Sequence, residues 1–169
     1  MPYLFILAAV FVLDQGSKLV VLGRLSPFEN IPLVPDYLAL QYTMNYGAAF
    51  SMFWSQRWLL ILVGLAVFAG VWLKRKLLAQ YPKLIRLGLA VALGGALGNL
   101  VDRIRLGYVV DFIYFHIRAV FGWPVFNVAD AAIVIGAGLI IWGMLFRKDS
   151  LIPNPPVEEA ATDDNAIPE

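Results

Sequence analysis

Two aspartates stand among apolar neighbours, with no basic residue beside either of them. Asp111 lies within the run Tyr108–Phe115, and Asp130 is flanked by Val128-Ala129 and Ala131-Ala132. Two carboxyls in a low-dielectric site cannot both ionise cheaply, so one pKa rises and the pair shares a proton. The ionised member can then take a proton from water while the protonated member hydrogen-bonds a substrate carbonyl. Asp111 and Asp130 are therefore predicted to have a catalytic or ligand-binding role.

The residues and motifs that other common catalytic arrangements require are missing from the sequence. The chain has no cysteine, which excludes a disulfide framework, a thiolate nucleophile and a thiolate metal site, and His116 is its only histidine. Neither H-E-x-x-H nor G-x-S-x-G occurs, and the neighbours Ser17 and Lys18 do not face each other on a helix. A carboxylate metal site is the remaining alternative, but the single histidine and the few clustered acids disfavour it. We therefore expect neither a metal ion nor any other cofactor. No nucleic-acid partner is expected.

Several further polar residues interrupt apolar segments at helical spacing. Ionisable groups inside a membrane cost about 2.5–3.5 kcal/mol each at a helix centre, so each is a functional hypothesis. Each of these residues also has a structural interpretation that remains open. Asp14 and Lys18 can form an ion pair that joins helices, and the asparagines can form interhelical hydrogen bonds. Asp102 and Arg103 can mark a helix end whose side chains snorkel to the membrane surface. For Asp102 snorkelling is favoured over a direct role. The sets are Asp14 and Lys18, then Asn99, Asp102 and Arg103, then Asn127 and Asp130.

The composition predicts a membrane protein with a single domain. Of 169 residues, 60% are hydrophobic and 15% are charged, and the mean hydropathy is +0.74. In soluble domains about 45–50% of the residues are apolar and about 25% are charged. Four segments are long enough to approach a membrane span of about 20 residues. The first follows Met1 without a basic region, so it is interpreted as a retained span rather than a cleaved signal peptide. The segments are Pro2–Leu22, Trp58–Leu73, Leu84–Val101 and Phe126–Phe146.

The distribution of basic residues predicts the orientation of these spans. Five lysines and arginines lie between Lys74 and Arg86, and Arg147 and Lys148 follow the fourth segment. Because cytoplasmic loops are enriched in basic residues, both termini are predicted to be cytoplasmic. Two regions, Gly23–Arg57 and Asp102–Val125, are then external, and the unusual polar residues converge near the outer surface.

The first external region contains a strand pattern, and the C-terminus contains a pattern of disorder. Apolar and polar residues alternate from Asp36 to Asn45, which predicts a strand. The turn Asn45–Phe50, which includes Gly47, has small residues where a ligand can approach closely. Residues 149–169 carry six acids, no base and several prolines, so we predict a disordered tail after a functional domain at 1–148.

Five ordered blocks within residues 1–148 resemble those of bacterial lipoprotein signal peptidase, also called signal peptidase II. One block alone is weak, but five in the same order and spacing are highly specific. The blocks are Asp14-Gln15-Gly16-Ser17-Lys18, Asn45-Tyr46-Gly47-Ala48-Ala49-Phe50, Gly94-Gly95-Ala96-Leu97-Gly98-Asn99-Leu100-Val101-Asp102-Arg103, Val109-Val110-Asp111-Phe112 and Phe126-Asn127-Val128-Ala129-Asp130.

The resemblance implies an aspartic endopeptidase of the bacterial cytoplasmic (inner) membrane, active near its extracytoplasmic surface. Its substrates would be diacylglyceryl-modified prolipoproteins, cut on the N-terminal side of the lipidated cysteine, and its surroundings membrane lipids. A monomer is expected. The implied fold is an all-α membrane protein of four transmembrane helices, with a small extracytoplasmic β-cradle and a short surface helix. Besides the catalytic pair Asp111 and Asp130, the implied substrate-binding or supporting residues are Asn45, Gly47, Asn99, Arg103, Asn127, Asp14 and Lys18.

Rival functions make different demands on the sequence. A small ion or proton transporter would also place charges in helices, but strung across the membrane depth. A presenilin-like protease would carry its second aspartate in G-x-G-D, whereas Asp130 follows Asn127-Val128-Ala129. A structural scaffold has no need of two unpaired acids.

Overall fold

The structure, a computed structural model, describes residues 2–47, 56–118 and 120–146. Within them it contains five helices and four strands. The helices are α1 (Pro2–Arg24), α2 (Arg57–Leu73), α3 (Arg75–Leu78), α4 (Lys83–Arg105) and α5 (Val128–Phe146), and the strands are β1 (Asn30–Val34), β2 (Leu38–Asn45), β3 (Val109–Ile117) and β4 (Phe121–Gly122).

Three of these helices are long and apolar enough to cross a membrane. They are α1 and α4, of 23 residues each, and α5, of 19 residues. The second predicted segment, Trp58–Leu73, forms α2, which is apolar but has only 17 residues. Large apolar side chains such as Phe5, Trp58 and Trp142 are exposed on the helices, as expected where lipid replaces water. These features are those of a multi-pass membrane protein.

Helix α4 contacts α1, α2 and α5, and small residues let two of these helices come close. A Cβ atom added to Gly94 would lie 2.8 Å from the carbonyl oxygen of Leu7 in α1. One added to Gly88 would lie 2.6 Å from the carbonyl oxygen of Gly136 in α5. Neither position has room for a side chain, so the small residues of α4 set the helix spacing. Since α4 runs to Arg105, beyond the predicted end at Val101, its last turn carries its polar residues on a rigid element.

The four strands form one antiparallel sheet in the order β1-β2-β3-β4. Strand β2 confirms the predicted strand, although it begins at Leu38 because Asp36 has a φ of 69° in the preceding turn. The β2–β3 register is broken by a bulge between Leu40 and Thr43, after which Thr43 stands opposite Asp111. The bulge therefore decides which β2 residues reach the catalytic candidate on β3.

An apolar core anchors the sheet to the end of α1. It consists of Val21 and Leu25 at that end, Tyr42 on β2, and Val110 and Phe112 on β3. These two β3 residues flank Asp111, so the packing of their side chains fixes the position of the aspartate.

Two expectations fall partly or wholly on residues that are not described. The acidic tail lies outside the described residues, as do residues 48–55 of the first external region. Among the residues that are described, the only short helix is α3, which lies in the basic segment between α2 and α4. The short surface helix implied by the resemblance is therefore not seen in the described part of the chain.

Candidate active site

Asp111 on β3 and Asp130 in α5 meet at one asparagine. The Asn127 side chain donates from Nδ2 to Asp111 Oδ1 at 2.6 Å. The backbone N–H of Asn127 donates to Asp130 Oδ2 at 3.2 Å. The two carboxyls that the sequence singled out are thus brought together, and they share a rigid hydrogen-bond donor.

Asn127 also caps helix α5. Its Oδ1 accepts the backbone N–H of Asp130 at 2.9 Å, while Asp130 accepts the backbone N–H of Asn127 in return. This reciprocal pattern is a capping box, in which the third helical residue reaches back to the cap. It holds the Asp130 carboxylate beside the partial positive charge of the helix N-terminus. The sequence carries a signal for this cap, Asn-x-x-Asp before an apolar run. The sequence analysis noted the spacing of Asn127 and Asp130 but did not predict the cap.

Asp14 of α1 binds the same helix end. Its Oδ1 accepts the N–H of Ala129 at 2.9 Å, and the Asp14 side chain is fully buried. Glycines on α4 leave room for this contact. A Cβ atom on Gly98 would collide with the Asp14 carboxylate, and a Cβ atom on Gly95 would collide with the Ala129 backbone. The first turn of α5 is therefore held from α1 as well as by its own cap.

A buried ion cluster joins α1 to α4. Lys18 Nζ lies 2.9 Å from Asp14 Oδ2 and 2.9 Å from Asp102 Oδ2. The predicted ion pair between Asp14 and Lys18 is confirmed. The snorkelling interpretation of Asp102 is wrong: only 2% of this residue is exposed, and it also accepts the N–H of Val110 at 3.2 Å. Asp102 turns inward because a buried cation and a β3 amide both need an acceptor there.

Gln15 completes this cluster and was missed by the sequence analysis. Three acceptors lie within hydrogen-bond distance of its Nε2: Asp14 Oδ2 at 3.1 Å, the carbonyl of Gly98 at 3.3 Å and Asp102 Oδ1 at 3.0 Å. The two N–H groups of this amide are shared among them. The signal that could have found it is a polar amide inside a membrane segment, directly after an acid.

Asn99 connects the ion cluster to Asp130. Its Oδ1 accepts from Lys18 Nζ at 3.0 Å and from Asn127 Nδ2 at 3.2 Å, and its Nδ2 donates to Asp130 Oδ1 at 2.8 Å. Because an ammonium group can only donate, the amide oxygen of Asn99 must face Lys18. The amide nitrogen is then obliged to face Asp130, so Lys18 sets the orientation of an Asp130 partner.

The end of β2 closes the other side of the cluster. Asn45 Nδ2 donates to Asp111 Oδ2 at 2.9 Å, and its Oδ1 accepts the N–H of Gly47 at 2.9 Å. Arg103 Nη2 donates to the carbonyl of Gly47 at 2.8 Å, and its Nη1 to that of Asn99 at 3.2 Å. Asn45 thus contacts a catalytic candidate directly, whereas Arg103 holds the backbone around it.

Burial raises the pKa of Asp111 to about 7, and the neighbouring Asp130 carboxylate adds to the rise. Hydrogen bonds from Asn45 and Asn127 oppose it. A raised pKa at one member of a carboxyl pair is what a general acid–base dyad requires. In the described part of the chain, no three His, Cys, Asp or Glu residues are grouped so as to hold a metal ion.

Comparison with known proteins gives concordant matches over most of the chain. The profile of the signal peptidase (SPase) II family matches residues 6–146. The lipoprotein signal peptidase of Pseudomonas aeruginosa is 43% identical over 157 residues, covering 89% of this chain and 91% of the relative. That of Pelotomaculum thermopropionicum is 43% identical over 148 residues, covering 87% and 94%.

Solved structures show the same fold. A structure described as a bacterial membrane enzyme superposes with a TM-score of 0.78 at 26% identity, covering 89% of this chain and 94% of the other. A second structure, also described as a bacterial membrane enzyme, superposes with a TM-score of 0.75 at 28% identity, covering 88% of this chain and 94% of the other.

Proposed function

This chain belongs to the signal peptidase II family, and from that premise we propose that it is an aspartic endopeptidase of diacylglyceryl-modified prolipoproteins. It cuts on the N-terminal side of the lipidated cysteine and releases the signal peptide. The observation that carries the aspartic mechanism is the pair of carboxyls, Asp111 and Asp130, held on a shared Asn127.

The two aspartates take different roles in the proposed reaction. Asp111, whose pKa is raised to about 7, carries the proton and donates a hydrogen bond to the scissile carbonyl oxygen. Asp130 is the carboxylate, because the N-terminus of α5 places partial positive charge beside it. It takes a proton from water as the water oxygen attacks the carbonyl carbon. That proton then passes to the leaving amine nitrogen as the C–N bond breaks, and water has been added across the bond.

The remaining site residues support this pair. Asn99 and Asn127 hold Asp130, and Asn45 and Asn127 hold Asp111. Arg103 holds the backbone at Gly47, two residues after Asn45. Asp14 and Lys18 orient these groups from the buried ion cluster. No metal ion or other cofactor takes part in the proposed reaction.

Four spans with both termini in the cytoplasm are part of the proposal. A 17-residue helix such as α2 is about 25 Å long, at the short end of what spans a bilayer, and a bilayer can thin locally to match it. Basic residues between α2 and α4 support a cytoplasmic position for that segment. Asn99 lies 16 residues along α4 from Lys83, or about 24 Å, which supports an active site near the opposite, extracytoplasmic surface.

We further propose that residues 1–148 suffice for activity in the bacterial inner membrane. The family match ends at residue 146, and the acidic tail follows it. A monomeric enzyme is part of the proposal. Truncation after Lys148 is expected to leave cleavage nearly unchanged.

The decisive experiment is cleavage of a lipidated prolipoprotein by the purified protein. Asp111→Asn and Asp130→Asn should each abolish turnover, because an amide is nearly isosteric but cannot exchange the proton. Asp36→Asn is the matched control: it makes the same chemical change at an exposed turn residue with positive φ, which Asn tolerates. Full activity of either dyad variant would overturn the mechanism.

The same assay separates the lipid requirement from the chemistry. An unlipidated precursor should be cleaved far more slowly, because the acyl chains anchor the substrate beside the scissile bond. Equal cleavage of both precursors would remove the lipid from the proposal. The transporter alternative has no support from the family match, and the site residues form one connected cluster rather than a path across the membrane.

A further inference from the structure

An open apolar cavity lies on the sheet, close to the dyad. Its volume is about 300 Å³, and every residue lining it is apolar. Two of the aromatic rings, Phe115 and Trp123, are 45% and 49% exposed. Rings left this open beside a polar site mark a surface that a ligand or membrane lipid covers. The lining residues are Leu38, Ile113, Phe115, Trp123 and Phe126.

This cavity, which we call the sheet trough, continues the sheet face that carries Asp111. Side chains alternate along a strand, so Asp111, Ile113 and Phe115 point to one face of β3. At about 3.4 Å per residue, Ile113 lies about 7 Å and Phe115 about 14 Å along the strand from Asp111. Leu38 is paired with Phe115 across the sheet, which completes the trough wall on β2.

The trough also adjoins the other half of the dyad. Phe126 forms an isolated bridge with Ile113, and its carbonyl accepts the N–H of Ile113 at 2.8 Å. Phe126 directly precedes Asn127, which binds both carboxyls. The trough therefore begins at Ile113, two residues from Asp111, and at Phe126, the neighbour of Asn127, and leads away along β3.

We propose that the sheet trough binds an acyl chain of the substrate's diacylglyceryl group. This inference rests on the proposed function and adds to it a site for the lipid. If the bond cut lies directly before the lipidated cysteine, the glyceryl group is attached one side chain away from the dyad. An acyl chain leaving that point needs an apolar path that starts at the dyad and carries no charge. The sheet trough has both properties.

The test compares substrates whose acyl chains differ in length. Wild-type protein is given a prolipoprotein peptide carrying either a dipalmitoylglyceryl or a dioctanoylglyceryl cysteine. The variant Leu38→Ala with Phe115→Ala shortens two facing walls of the trough. It should lower kcat/KM for the long-chain substrate about tenfold, with short-chain cleavage changed by less than about twofold.

Leu33→Ala is the matched control. Leu33 is half exposed on β1 and does not line the trough, so its truncation should leave the wild-type chain-length preference in place. Using the same two substrates throughout cancels their different partition into detergent. An unchanged preference in the trough variant would overturn the inference, and an equal loss for both substrates would assign the trough to the peptide instead.

A photocrosslinking experiment tests the same inference without measuring cleavage and without the Leu38→Ala, Phe115→Ala variant. The photoreactive residue p-benzoylphenylalanine replaces Phe115 in an Asp111→Asn background, with the same replacement at Leu33 as its control. Label from a radioactive acyl chain should attach at position 115 and not at 33. Labelling at both positions, or label only from bulk phospholipid, would overturn the inference while leaving the proposed peptidase activity intact. Labelling at 115 by a substrate that the wild-type protein fails to cut would instead count against the peptidase.

Discussion

Asn127 and Asp130 exchange two hydrogen bonds across the first turn of α5, so the residue that caps the helix also fixes a carboxylate of the proposed catalytic pair. Stability and activity can be separated at this position. Asn127→Ser keeps a capping oxygen but removes the amide that donates to Asp111, whereas Asn127→Ala removes both.

We therefore expect Asn127→Ala to lower stability by about 1 kcal/mol and Asn127→Ser to leave it nearly unchanged. Both should lower cleavage by about a hundredfold or more, because Asp111 loses a donor in a buried site. Thermal unfolding and kcat measured on the same preparations check this. Normal turnover by the serine variant would show that the cap alone matters.

The activity should fall as pH rises through about 7. Burial and the nearby Asp130 carboxylate raise the pKa of Asp111 to about 7, so the proton it contributes is present below that pH and is lost above it. The measurement is kcat/KM for a lipidated substrate between pH 5.5 and 9, with thermal unfolding at each pH to show that the protein stays folded. A profile that is flat up to pH 9 would contradict the assignment of the proton to Asp111.

Lys18→Met should destabilise the protein strongly. It leaves the carboxylates of Asp14 and Asp102 buried without their cation, which typically costs about 3–5 kcal/mol. Asp102→Asn, added to that change, should recover part of the loss because one uncompensated charge disappears. A double-mutant cycle on the unfolding free energy measures the coupling, and strictly additive effects would mean that the two groups act independently.

Cleavage should be unaffected by a chelator such as EDTA. The proposed reaction moves protons between water, the two aspartates and the substrate, so it needs no Lewis acid. The check is the initial rate before and after dialysis against EDTA. A loss of activity that a divalent ion restores would point to a carboxylate metal site instead.

The orientation can be tested with single cysteines, since the chain has none of its own. A cysteine replacing Val34 should react with a membrane-impermeant maleimide from outside the cell, and one replacing Gln80 should react only after lysis. Both residues are exposed. External labelling at position 80 would invert the topology and place the active site at the cytoplasmic surface.

Local sequence was enough to predict the four long helices, strand β2 and the two catalytic candidates. Each depends on a short-range signal: apolar length, alternation, or an acid with no base beside it. Strand β3 was not predicted because Val109, Val110 and Phe112 are all buried, so no alternation marks it.

The partners of the site residues could not be predicted in the same way. That Thr43 stands opposite Asp111 depends on a bulge in β2, and the inward turn of Asp102 depends on Lys18 in a distant helix. Register and interhelical pairing are properties of the assembled fold, and no window of neighbouring residues contains them.

The buried cluster of Lys18 also bears on how the chain is made. Lys18 finds its first carboxylate, Asp14, one turn away on its own helix, so α1 can enter the bilayer as a locally neutral segment as soon as the ribosome has delivered it. Asp102 arrives only after α2 and most of α4 have been synthesised. Because the Lys18 ammonium has three N–H donors and Asp14 uses one of them, α1 still offers donors to the later carboxylate when α4 packs against it.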